Sequence, residues 1–243
     1  MTRREQIRNK RARQDRQQNF TIIGILIVAA LVIVGILMWP SIRDAVTPPS
    51  PVIEPAAVTY SPELVDGKNY GPADAKVVVR EYADFQCPYC GLVAASVSSV
   101  VKEEFITPGQ SVRFEFRHFI VVDPISSNGE SRSAAEASEC AADQGKFWQF
   151  HDYTFANQDG ENRGGFRDTR LRQFAEKAGL DLAQYDTCRS SGATASRVRD
   201  DENAARQLSL SGTPTMFVND QRVNDPLDLD EVRQTITAAL ATP

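Results

Sequence analysis

The longest apolar stretch of the chain runs from Phe20 to Trp39, FTIIGILIVAALVIVGILMW, without a single charge. At ~1.5 Å per residue, a helix of that length spans ~30 Å, the thickness of a hydrocarbon core. The pattern predicts a transmembrane anchor over 20–39. Proline then punctuates the chain at Pro40, Pro48, Pro49, Pro51, Pro55 and Pro62. With so little periodicity, 40–62 reads as an extended Pro-rich linker. Residues 63–243 are the size of one domain. Within them, the valine-rich run Ala75–Asp84 predicts a buried strand, and 87–105 a helix. Val112 to Arg117 alternates strictly, which predicts a strand with Val112, Phe114 and Phe116 on its buried face. From about 130 to 208 the segments are helical and separated by glycines. Strands return at Thr215–Val218 and Gln221–Val223, followed by a closing helix in which Val232, Ile236 and Leu240 repeat every four residues. Asp228 or Asp230 is positioned to cap it. The order is strand, helix, strand, helical block, strand, strand, helix: an α/β scaffold with an α-helical insertion at about 121–209.

Charge places the two ends on different sides of a membrane. Residues 1–19 form a basic tail with seven Lys/Arg against Glu5 and Asp15. The positive-inside rule keeps this tail cytoplasmic and exports everything after Trp39. A cleaved signal peptide is the rival reading, but its apolar core is usually ~7–15 residues and ends in a small-residue site. Pro40-Ser41-Ile42-Arg43 is not such a site. The expected location is therefore the bacterial cytoplasmic membrane, single-pass, with the folded domain on the extracytoplasmic side. Residues 41–243 keep 20 Lys/Arg against 30 Asp/Glu, a net of −10. Nucleic-acid binding, which needs a basic face, is disfavoured. Neither a P-loop nor a dinucleotide fingerprint occurs.

The chemistry is concentrated in Cys87-Pro88-Tyr89-Cys90, which joins the first strand to the first helix. A helix N-terminus presents unpaired N–H groups and the positive end of the dipole, so a cysteine there favours the thiolate. Cys87 is then the nucleophile, and Cys90, one turn inside, the resolving thiol. Pro88 suits the first helical turn. Half of a zinc site is the alternative, but zinc needs a second close pair. The other cysteines, Cys140 and Cys188, lie 48 residues apart with no histidine in ligand spacing. An inert disulfide is the third reading. Redox chemistry is favoured, with no metal and no cofactor.

The segments YGPADAKVVVREYADFQCPYC, FEFRHF, CAADQGKFWQFHDYTF and GTPTMFVND, spread over about 67–243, resemble the DsbA-like thiol–disulfide oxidoreductases of the thioredoxin superfamily, in the membrane-tethered, BdbD-like branch. The resemblance implies a thioredoxin fold, with Pro214 in a cis-proline loop opposite the dithiol and Thr213 pairing with an extended substrate strand. It also implies a buried acid at Glu81, six residues before Cys87, that takes the Cys90 proton through water. Asp84 is a weaker candidate for that role. The resemblance further supports a structural bridge between Cys140 and Cys188; a relay to Cys87 and free thiols are the alternatives. Two departures stand out. Such oxidases often carry histidine where this chain has Tyr89, which puts strong oxidising power in doubt, and Ile120 stands where the branch often has proline. His118, in phase with Phe114 and Phe116, reads as a core histidine, and His151 as part of an aromatic packing segment.

The expected function is oxidation of cysteines in exported proteins by a monomeric, membrane-anchored protein, with a membrane reoxidase of the DsbB or VKOR type as implied partner. Disulfide isomerisation or reduction is the first alternative, and the C-P-Y-C motif is compatible with it. A non-catalytic module that docks an exported partner through Thr213-Pro214 is the second.

Overall fold

Six strands, β1 (Val65–Asp66), β2 (Asn69–Tyr70), β3 (Val77–Ala83), β4 (Val112–His118), β5 (Thr215–Val218) and β6 (Gln221–Arg222), form one sheet in the order β1-β2-β4-β3-β5-β6 in a computed structural model of the chain. The structure describes residues 28–36, 51–106, 111–123 and 129–242. It divides into two units, 1–50 and 51–243. In the first, residues 28–36 are a helix, α1, with Leu31, Ile33 and Ile36 exposed. Among the described residues no helix is long and apolar enough to cross a membrane. The rest of the expected anchor, and the basic tail, lie outside the described residues.

In the second unit β3 pairs in parallel with β4 and antiparallel with β5. The alternation read in β4 holds: Val112, Phe114 and Phe116 are fully buried. The crossover between β3 and β4 starts as α2 (Pro88–Val93) and α3 (Ser99–Val101), each followed by a five-residue π turn, Ala94–Ser98 and Lys102–Ile106. This departs from the single helix expected. Val93, Val97, Val101 and Phe105 are all buried at a spacing of four. In a 3.6-residue helix that spacing drifts by about 40° per step. The wider π turns rotate it back, so the whole stripe stays on the sheet. They also bring Ser98 and Lys102 inside.

The helical block comprises α4 (Glu130–Ala142), α5 (Phe147–Ala156), α6 (Asp168–Lys177), α7 (Leu182–Ser191) and α8 (Ala195–Gln207); α9 (Leu229–Ala241) closes the chain. Asp228 is the residue that caps α9, accepting from the backbone of Asp230 and Glu231. The core is strongly aromatic where α5 meets the sheet. Phe116 stacks on Phe85 at 5.4 Å and lies 5.4 Å from Phe147, and Phe85 lies 4.9 Å from Phe155. Burying each such ring contributes roughly 1.5–3 kcal/mol. Cys140 on α4 and Cys188 on α7 are bonded, with Cα atoms 5.8 Å apart.

One boundary differs from the sequence reading. The sequence reads as linker to residue 62, yet residues 51–60 are part of the folded unit. The Ile53 backbone exchanges two hydrogen bonds with the Asn157 side chain, at 2.7 and 2.8 Å. Tyr60 is buried against Trp148, and its hydroxyl donates to Asp152 at 2.8 Å. Proline spacing suggested a free spacer; the aromatic and amide contacts that hold this strap are made by residues a hundred positions away.

Candidate active site

The turn between β3 and α2 is fixed from several sides before any cysteine is considered. The Asp84 carboxylate accepts from Gln86 N at 2.9 Å, Val121 N at 2.9 Å and Val122 N at 3.0 Å. Three backbone donors converge on it, so Asp84 organises the turn. The Gln86 amide donates to Ser131 Oγ at 2.8 Å and Asp123 at 3.1 Å, and accepts from Asn162 N at 2.6 Å.

Cys87 follows as the N-cap of α2, with Pro88 at the first helical position. Both cysteines are free thiols. Cys87 is 6% exposed and Cys90 fully buried, so Cys87 is less open than its place at the helix start implies, but it is the one solvent can reach. The peptide bond between Thr213 and Pro214 is cis, and the Thr213 carbonyl lies 3.5 Å from Cys87 Sγ. The loop and the dithiol, separated by more than a hundred residues, are therefore adjacent. Tyr89 is 61% exposed beside them.

These surroundings pull the two thiols apart. Cys87 falls to about 6: the Cys90 thiol acts first, the Thr213 side chain and the backbone N–H groups of Cys90 and Tyr89 add to it, and burial opposes the fall. The Thr213 hydroxyl oxygen itself has no hydrogen-bond partner among the described residues, and the contact with Cys87 Sγ is made by the Thr213 carbonyl. A group with that pKa is about 90% thiolate at pH 7. Cys90 is driven well above the usual thiol value, first by burial and then by its bond and proximity to Cys87.

Glu81 lies in mid-β3, paired in register with Phe116 and Met216. It is fully buried, and one carboxylate oxygen accepts from Ser98 Oγ at 2.9 Å while the other has no hydrogen-bond partner. Burial raises its pKa to about 7; Ser98 and Lys102 oppose the rise, and Cys87 adds to it. Lys102 is itself buried, with Nζ 3.9 Å from the Trp148 ring centroid and 3.4 Å from the Tyr60 hydroxyl. Burial lowers it to about 8. The sequence pointed to Glu81 but gave no sign of Ser98 or Lys102, because only the π turns carry them inward.

Glu81 gives the fold a pH dependence. Its folded pKa lies above the unfolded value of 4.5. The folded state therefore binds more protons between about 4.5 and 7, and stability falls as pH rises through that window, by roughly 3 kcal/mol in all. Glu81→Gln removes this loss. Urea unfolding at pH 5 and pH 8 should show the variant's stability varying less than the wild type's. A variant with the wild-type pH slope would show that Glu81 is not the group responsible.

The remaining polar clusters are structural. His118, Glu139 and Asp201 have metal-ligand geometry, alone among the described residues. Lys68 Nζ already lies 2.5 Å from both carboxylates, and Arg197 lies 3.2 Å from Glu139. The donors are neutralised by cations, and the arrangement reads as an ion-pair network. His118 and His151 are both buried, His151 among Phe85, Trp148 and Phe155.

Residues 64–238 match the family model described as Thioredoxin. Among curated proteins, the chain is 37% identical to Na(+)/H(+) antiporter NhaA 3 of Salinispora tropica over 172 residues, 71% of this chain and 24% of that protein. It is 33% identical to Na(+)/H(+) antiporter NhaA 1 of Mycobacterium sp. (strain KMS) over 232 residues, 93% of this chain and 34% of that protein. The chain thus spans between a quarter and a third of the length of these curated relatives. Among solved structures, oxidised BdbD from Bacillus subtilis aligns with TM-score 0.65 and 27% identity, over 76% of this chain and 98% of that one. Reduced DsbA from Mycobacterium tuberculosis, at TM-score 0.54 and 23% identity over 72% of this chain and 99% of that one, shares the fold. The chain belongs to the thioredoxin superfamily and is DsbA-like within it.

Proposed function

We propose that this protein is a membrane-tethered, extracytoplasmic thiol–disulfide oxidoreductase that oxidises cysteine pairs of exported proteins through Cys87 and Cys90. The observation that carries the reading is the pairing of a low-pKa Cys87 with a buried, high-pKa Cys90, beside the Thr213–Pro214 loop. In the oxidised protein, a substrate thiolate attacks Cys87 Sγ. The Cys87–Cys90 bond breaks, its electron pair stays on Cys90, and that sulfur takes up a proton. A second substrate thiolate then attacks the substrate sulfur in the mixed disulfide and releases Cys87 as a thiolate. The substrate leaves oxidised and the protein leaves reduced. Electrostatics favours this direction: stabilising the Cys87 thiolate stabilises the reduced form, so the disulfide is the better oxidant.

Glu81 is the proposed acceptor when Cys90 must lose its proton during reoxidation. Its raised pKa suits it to proton transfer near neutral pH. The apolar run 20–39 and the basic tail support attachment to the cytoplasmic membrane. That related segments occur within proteins named as antiporters supports a working place at a membrane. The two-electron acceptor that resets the pair is proposed to be a quinone-linked membrane protein of the DsbB or VKOR type. Reduction or isomerisation is the second reading, favoured by the Pro88-Tyr89 dipeptide between the cysteines, which lacks the histidine of strong oxidases.

The experiment is a single-turnover reaction of the oxidised protein with a peptide carrying two cysteines. The proposal expects one peptide disulfide per protein molecule and loss of the Cys87–Cys90 bond. Peptide left fully reduced at equilibrium would favour the reductase reading. Absence of any mixed disulfide would favour a binding module.

A further inference from the structure

The helical block reaches the dithiol at one point that the mechanism above does not use. Gln158 follows the last turn of α5, and its side-chain amide donates two hydrogen bonds, to the carbonyl of Phe85 at 2.8 Å and to the carbonyl of Cys87 at 2.9 Å. Those carbonyls bracket the nucleophile. The Cys87 carbonyl also receives Gly91 N at 3.2 Å, the first hydrogen bond of the helix on which the thiol sits. The neighbouring residue, Asn157, clamps the strap through Ile53. Consecutive side chains thus hold the strap and the dithiol turn.

Gly91 shows how closely the amide approaches. A β-carbon at that position would collide with Gln158 Oε1. The glycine lies inside α2, where alanine is otherwise the better helix former. A residue that weakens the active-site helix is thus what leaves room for the Gln158 side chain.

We propose that Gln158 is a positioning residue for Cys87, holding the Phe85–Cys87 turn so that the first N–H groups of α2 stay aimed at the sulfur. The inference rests on the thiol-exchange reading above. Its physical content is dipolar. The amide is neutral, and its two N–H groups place partial positive charge on carbonyls whose oxygens would otherwise present partial negative charge near a thiolate. The ionisable groups coupled to Cys87 are Cys90, on its own helix, and Glu81, on β3; the Thr213 carbonyl lies against its sulfur from the opposite loop. Without the amide the thiolate is less favoured, and the reduced form with it.

The test is the pH profile of Cys87 alkylation in the reduced protein, for wild type, Gln158→Ala, Gly91→Ala and the double variant. Loss of about one net hydrogen bond predicts a rate about threefold lower at pH 5 for Gln158→Ala, where thiolate fraction limits the rate, and an unchanged rate at pH 9, where the thiol is ionised in every variant. Gly91→Ala is expected to match it by pushing the amide aside, and the double variant to add nothing further. The glutathione equilibrium should move by the same factor towards the disulfide. An unchanged profile in Gln158→Ala with only a lower melting temperature would make the residue merely structural and overturn the proposal. Additive effects of the two substitutions would overturn it as well. None of these readouts depends on whether the protein works as oxidant or reductant. Failure of the oxidase reading would appear separately, in the wild-type potential.

Discussion

Replacing Cys90 with alanine should turn the protein into a trap. The variant keeps Cys87 at the helix start with the Thr213 contacts intact, so it still forms mixed disulfides, here with a substrate activated as a disulfide of its own. The internal thiol that would release Cys87 is gone. Covalent adducts should accumulate, survive non-reducing electrophoresis, and map to Cys87. Cys87→Ser should form none, and turnover in both variants should fall to the uncatalysed background. The asymmetry follows from burial: Cys87 retains 6% exposure and Cys90 none. Adducts on Cys90 in a Cys87→Ser protein would reverse the assignment. The Cys90 variant should also show a higher Cys87 pKa, because the Cys90 thiol is the largest single contributor to its depression.

The second large effect concerns stability and leaves the redox pair untouched. Cys140–Cys188 joins α4 to α7 across a sequence separation of 48. In the chain-entropy model, closing a loop of that length contributes at most about 4 kcal/mol, much of it through the unfolded state. The double variant Cys140→Ala/Cys188→Ala should lose roughly 3 kcal/mol in urea unfolding, on the order of 10 °C in melting temperature. Both positions are changed together so that no spare thiol can attack Cys87. The Cys87–Cys90 potential should be that of the wild type, since neither residue touches the dithiol turn. A shifted potential would mean that the bridge takes part in electron transfer.

How far the sequence predicted this site differs from residue to residue. The C-x-x-C pair was legible because its chemistry is local: strand, turn, N-cap and helix follow one another in ten residues. The alternation of β4 was legible because one face of the strand is buried. Glu81 was legible as a position, but its environment was not. Its partners Ser98 and Lys102 are polar residues on a helix that an ordinary α-helical repeat leaves at the edge of the buried stripe, and two π turns carry them inside. Gln158 was illegible for a different reason. Its two acceptors are backbone carbonyls more than seventy residues earlier, and a carbonyl leaves no mark in a sequence. The strap was hidden in the same way by its proline content. One missed element did carry a signal. Gly67-Lys68 is the two-residue loop that joins β1 to β2, with Gly67 in its first position at φ 57°, where a side chain is disfavoured.

The environment of Cys87 is proposed to make the disulfide an oxidant. The most direct measurement is the equilibrium of the Cys87–Cys90 pair across a series of reduced and oxidised glutathione at pH 7. With the thiolate held by Cys90, Thr213 and the helix N–H groups, the potential should lie clearly above that of thioredoxin, about −270 mV, and below that of DsbA, about −120 mV, since Tyr89 replaces the histidine of strong oxidants. A value at or below about −270 mV would contradict the account and identify a reductant.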